Sequence, residues 1–191
     1  MLVLALFLSL PLRAQTSPLL GTWEEIRRSA GGVGTIWTFD PDNSFTHTVG
    51  TLFDFRFRRA LDSLYVIDTS GNETPTHIAI SGDTMISSRP GTLHREIRIS
   101  KRSADDPLVG TWTYPFNTQL QAYEEYLPSG ELHVRAPIST AKGFYTALGD
   151  SAWIVFPDPG GDRLVHFFVK ADTLLLDWEG ESRRYLRAHP R

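Results

Sequence analysis

The tripeptide Gly-Thr-Trp occurs at residues 21–23 and again at 110–112, and the residue types that follow each copy recur in the same order almost to the end of the chain. Pro18-Leu19-Leu20 precedes the first copy and Pro107-Leu108-Val109 the second. His77-Ile78-Ala79-Ile80 matches His166-Phe167-Phe168-Val169, and Arg95-Glu96-Ile97-Arg98 matches Arg184-Tyr185-Leu186-Arg187. A duplicated chain solves one packing problem twice, so residues that agree between the copies mark structural positions and residues that differ mark specialised ones. The repeat predicts units over 18–100 and 108–188, joined by a polar linker at 101–107.

Within each unit the apolar residues alternate with polar ones in short runs, and helical spacing is absent. Phe53-Asp54-Phe55-Arg56-Phe57-Arg58 sets three aromatics on one face of a strand and charges on the other. Asp40-Pro41-Asp42-Asn43, Ser81-Gly82-Asp83, Pro128-Ser129-Gly130 and Gly149-Asp150-Ser151 are turn chemistries. The first unit reads as strands near 20–28, 34–40, 43–49, 52–60, 63–68, 75–81, 84–88 and 93–100. Such a meander without helical cover removes its edges most simply by closing on itself. The expected fold is therefore all-β, with two tandem small antiparallel barrels of about eight strands each. A single larger barrel or sandwich, half of it from each copy, is the alternative.

A Gly-x-Trp that opens the first strand, an all-β meander and an arginine in the last strand together resemble the short bacterial exported lipocalin-like family. The resemblance implies a tryptophan plugging one end of each barrel and a last-strand arginine packed across its ring. Arg95 lies two residues from Ile97 and Arg184 two from Leu186, so alternation turns both guanidiniums inward with those apolar neighbours and leaves Arg98 and Arg187 outside. The expected structural closures are thus Trp23 with Arg95 and Trp112 with Arg184. A guanidinium buried over an indole contributes about 1–2 kcal/mol through cation–π attraction.

Residues 1–14 form an apolar run that ends at Ala14, shorter than the roughly 20 residues a membrane-spanning helix needs. This reads as a secretory signal peptide and places the protein outside the cytoplasm, periplasmic or extracellular. The chain has no cysteine, so neither disulfides nor a lipid-modified cysteine holds it. A formal net charge of −3 argues against a nucleic-acid partner or an anionic membrane surface.

No metal site or cofactor is expected, since the matched His77 and His166 begin equivalent strands of different units and lack further convergent ligands. Asp62-Ser63 and Asp150-Ser151 sit in hairpin turns, where both residue types bond local backbone, and no nucleophile elbow accompanies them. An enzyme is not expected. The informative positions are those where the copies differ. Trp37 and Phe39 align with Glu124 and Tyr126, and Phe55 and Phe57 align with Gly143 and Tyr145, which makes the second unit roomier and more polar. A small apolar or amphiphilic ligand bound in the second barrel by Glu124, Tyr126, Tyr145 and Trp153 is the expected function. A structural or protein-interaction module with filled cores is the alternative, and a register one residue away turns Glu124 to solvent.

Overall fold

A computed structural model describes residues 17–29, 31–89, 92–157, 161–178 and 180–188, and every regular element among them is a β-strand. The leader expected over 1–14 lies outside the described residues. In chain order the strands are β1 (Gly21–Glu25), β2 (Val33–Phe39), β3 (Ser44–Ala60), β4 (Ser63–Ile67), β5 (Glu73–Ser81), β6 (Thr84–Arg89) and β7 (Thr92–Arg98). The second copy supplies β8 (Gly110–Pro115), β9 (Gln121–Tyr126), β10 (Glu131–Leu148), β11 (Ser151–Phe156), β12 (Gly161–Lys170), β13 (Thr173–Trp178) and β14 (Glu181–Arg187). Each strand pairs antiparallel with its neighbours, and β14 returns to β1 so that the sheet closes into one ring.

The two copies do not fold as separate barrels. The segments expected as distinct strands at 43–49 and 52–60 are one 17-residue strand, β3, and the second copy fuses its counterparts into the 18-residue β10. These two long strands pair with each other from Ser44 opposite Phe144 to Arg56 opposite Glu131. At the middle of this seam Gly50 lies opposite Pro137, and a Cβ on Gly50 would come within 2.7 Å of the Ala136 carbonyl oxygen. Only glycine lets the two backbones approach there.

The seam pinches the ring into two lobes. A terminal lobe holds β1, β2, the first half of β3, the second half of β10, and β11 to β14. A central lobe holds the second half of β3, β4 to β9, and the first half of β10. The Leu52 amide bonds the Gly32 carbonyl while the Phe57 amide bonds the Gly130 carbonyl, so successive amides of β3 address opposite edges. It follows that β2 and β4 occupy the same edge of β3, one beyond the other. Phe45 and His47 accordingly face one interior, and Phe55 and Phe57 face the next.

Each lobe has its own core, and each core mixes the copies. Trp23, Trp37, Phe39 and Phe45 of the first copy pack with Tyr145, Ile154, Leu174 and Tyr185 of the second in the terminal lobe. Leu64, Ile78 and Met85 pack with Leu108, Trp112, Tyr126 and Leu132 in the central lobe. Between the lobes, the buried Arg135 guanidinium reaches Glu24 at 2.7 Å, Asp54 at 2.9 Å and the Phe53 carbonyl at 2.8 Å. Burial alone would raise the Asp54 carboxyl; Arg135 and Arg28 outweigh it and hold the group below its ordinary value.

The closures are crossed as well. Arg187 lies 4.0 Å above the Trp23 ring and donates to the Leu20 carbonyl, and Arg98 lies 4.1 Å above Trp112 and donates to the Val109 and Pro107 carbonyls. Each indole also donates to the carbonyl four residues before it, Leu19 at 2.7 Å and Leu108 at 2.8 Å. The expected assignment to Arg95 and Arg184 is corrected, because both are exposed. Alternation was referred to the wrong neighbours: Ile97, Ile99 and Leu186 are the residues that face solvent, while Glu96 and Tyr185 are buried.

Candidate functional site

The central lobe is an open cup. A cavity of about 340 Å³ enters its interior between Phe55, Leu64, Val66, Leu132 and Val134 on one side and a group of polar side chains on the other. Glu124 and Tyr126 come from β9, Ser87 from β6, Glu96 from β7 and Thr76 from β5. His94 and Tyr114 face each other at the rim, with ring centres 6.0 Å apart.

Glu124 and Glu96 each accept a hydroxyl. Tyr126 donates to Glu124 at 2.5 Å and Ser87 donates to Glu96 at 3.0 Å. Burial pushes the Tyr126 phenol well above its ordinary value, and the neighbouring Glu124 charge pushes it the same way. The phenol therefore keeps its proton at any physiological pH and stays a donor.

The terminal lobe shows what the same positions do when filled. Trp37 stands opposite Trp23 where Glu124 stands opposite Trp112. Tyr185 stands opposite Leu174 where Glu96 stands opposite Met85. Val165 stands opposite Ala152 where Thr76 stands opposite Leu64. In the terminal lobe these larger groups share one core, in which Trp37 forms an aromatic plug, stacking on Phe39 at 5.7 Å and on His47 at 4.2 Å and meeting Trp178 edge-on at 5.3 Å. Gly143 makes room for it, since a Cβ there would lie 2.7 Å from the Phe45 ring. The central lobe has carboxylates and hydroxyls where the terminal lobe has rings and branched chains, and the cup is the volume so released.

Of the four residues expected to bind ligand, the structure brings Glu124 and Tyr126 together inside the cup. Tyr145 is in the terminal core, its hydroxyl donating to the Asp40 carbonyl, and Trp153 is exposed on the outer face of β11. The crossing of the lobes carries Tyr145, on the second half of β10, away from β9, whereas Trp153 misses because Ala152 and Ile154 are the residues β11 turns inward. Glu96, Ser87 and Thr76 were missed because polar residues inside a barrel break the rule that apolar side chains mark the interior. The signal that could have found Glu96 was its match with Tyr185 in the aligned last strands.

Among the described residues no group of three or more His, Asp or Glu is placed to hold a metal ion. His166 Nδ1 lies 2.8 Å from the Ser151 hydroxyl at a hairpin turn, where Ser151 is half-buried and His166 is exposed. No family model, no curated protein and no solved structure matches this chain.

Proposed function

We propose that this is an exported, non-catalytic binding protein whose central lobe holds a small amphiphilic ligand. The observation that carries the reading is the cavity of about 340 Å³ in one lobe at positions that the other lobe fills with aromatic rings. That volume falls within the roughly 300–1,000 Å³ range of small-molecule sites, and an apolar wall facing a few convergent polar groups is their usual lining. The apolar body of the ligand would lie against Phe55, Leu64 and Val134, and its polar end would meet Glu124 and Tyr126. The lipocalin-like resemblance of the Gly-Thr-Trp openings supports the same reading, and the apolar leader supports export.

The test is a fluorescence titration of the full chain with the lipophilic dye N-phenyl-1-naphthylamine. Leu132→Phe installs the residue found at the matching place of the terminal lobe, Phe45, and Val134→Trp fills the cup further. Binding to the parent chain and its loss in both variants, with thermal unfolding unchanged, supports the reading. Absence of binding to the parent, or equal binding by the filled variants, overturns it.

A protein-interaction role is the second reading. It is favoured by the outer face of the terminal lobe, where Phe144, Trp153 and Leu164 are exposed on three successive strands. Apolar side chains clustered on a solvent-facing sheet are a feature of contact surfaces.

A further inference from the structure

We propose that the groove between the lobes, distinct from the cup, is a binding site for a neutral saccharide. The groove has a volume of about 600 Å³ and lies where the outer face of β1, β2, β3 and β10 meets the 117–121 loop and the start of β9. Its floor is the middle of the seam, where Gly50, Leu52, Ala136 and Pro137 are buried. The register of β10 slips between Pro137 and Ser139 at the same place. Bulges of this kind re-aim side chains and recur beside binding sites.

The lining is unusual for its chemistry. Threonine hydroxyls from β1, β2, β3 and β10 face it, the carboxamides of Gln119 and Gln121 and the phenol of Tyr123 close it, and no carboxylate among the described residues lines it. Arg135, the one cationic group among the described lining residues, is already engaged by Glu24, Asp54 and the Phe53 carbonyl. A charged ligand therefore finds no counter-charge here. The hydroxyls also hold their partners at long distances: Thr48 lies 3.4 Å from Thr140, Thr22 lies 3.1 Å from Thr38, and Thr51 donates to the Ala136 carbonyl at 3.4 Å. A hydroxyl at such distances can turn to a better partner at little cost, and each can both donate and accept.

A sugar ring presents the complement of this surface. Its hydroxyls donate and accept alternately around the edge, and its C–H faces are apolar enough to lie on Leu120, Pro137 and the Tyr123 ring. Carboxamides and hydroxyls together match such a ligand better than they match a lipid, which lacks groups to satisfy them. The crossing of the lobes is what builds the groove, because it sets the 117–121 loop of the central lobe against the sheet of the terminal lobe.

The test is two-dimensional NMR of the full chain, titrated to millimolar concentration with maltose, cellobiose, lactose and N,N′-diacetylchitobiose, and with gluconate as the anionic comparison. The expected result is saturable shifts confined to β2, β3 and the 117–121 loop for at least one neutral sugar, and none for gluconate. Thr48→Val with Thr140→Val keeps the shape and removes two hydroxyls, and should weaken binding at least tenfold. Gln121→Leu, at the exposed first residue of β9, gives the same readout without touching the seam. Leu132→Phe in the cup should leave sugar binding unchanged, which separates this site from the one proposed above. No shifts with any neutral sugar, shifts that map to the cup, or affinity unaltered in both groove variants would overturn the proposal.

Discussion

Replacing Arg98 with Met should destabilise the protein far more than replacing Arg95, although the two lie on the same strand three residues apart. The Arg98 side chain is 1 % exposed, stacks 4.1 Å above Trp112, and donates to the carbonyls of Val109 and Pro107. Methionine keeps most of the packing volume and loses the rest. The cation–π contact contributes about 1–2 kcal/mol when desolvated, and a hydrogen bond from a charged donor about 1.5–3 kcal/mol. Against that loss stands the relieved cost of burying a charge, so a net loss of about 2–4 kcal/mol is expected. For a chain of this size each kcal/mol corresponds to roughly 2–4 °C, which gives a fall in Tm of about 5–15 °C. Arg187, with its side chain 33 % exposed, should show the same effect at about half the size. Arg95 and Arg184 face solvent, and their Met variants should stay within about 0.5 kcal/mol of the parent. Thermal unfolding by circular dichroism of the four single variants is the assay. Equal losses at Arg95 and Arg98 would refute the register on which the closures rest.

Three further outcomes follow from particular residues. His47, half-buried against Trp37, has its pKa lowered to about 4 by burial and secondarily by Arg183, so the native state resists a proton that the unfolded chain accepts near 6.5. Stability from this group is complete above pH 6.5 and is lost as pH falls to 4, by about 3 kcal/mol; urea unfolding across that window should be measurably flatter in His47→Phe. Arg135→Met removes the cation shared by Glu24 and Asp54, leaving Asp54 its ion pair with Arg28, and should cost about 3 kcal/mol in the same assay. Leu61→Gly should gain about 0.5–1 kcal/mol, because Leu61 holds φ 55 at a hairpin position where the matching turns use Gly82 and Gly149; a lower Tm would contradict that turn geometry.

Much of the architecture was legible because alternation is a local signal. The strand period, the turns and the duplication itself are written in neighbouring residues, and the match of Trp37 with Glu124 holds in the cross-strand registers. The crossing of the lobes was not legible for a physical reason. In a duplicated chain Trp23 meets an equally suitable last strand whether it takes β7 or β14, so no local pattern distinguishes the two closures. What decides is whether the chain turns or runs straight at Gly50 and Pro137. The short connection from Arg98 to Gly110 then pairs β7 directly with β8. The cup was half legible: Glu124 and Tyr126 stood out as departures from the first copy, whereas Glu96 hid beside Ile97, whose apolar side chain in fact faces solvent. The loose aromatic assignment of Trp153 failed because strands whose outer face carries Phe144 and Leu164 do not obey a simple inside-apolar rule.

The shared seam is the claim on which both binding proposals stand, since it creates the cup and the groove together. Thr48 and Thr140 are Cα partners across it with hydroxyl oxygens 3.4 Å apart, and the chain contains no cysteine to interfere. In the Thr48→Cys, Thr140→Cys double variant, mild oxidation of a dilute sample should form an intramolecular disulfide nearly quantitatively, because directly paired strands bring Cβ atoms within bonding reach. Free thiols after oxidation, or disulfide-linked dimers in place of a cross-linked monomer, would show that the two long strands do not pair within one chain.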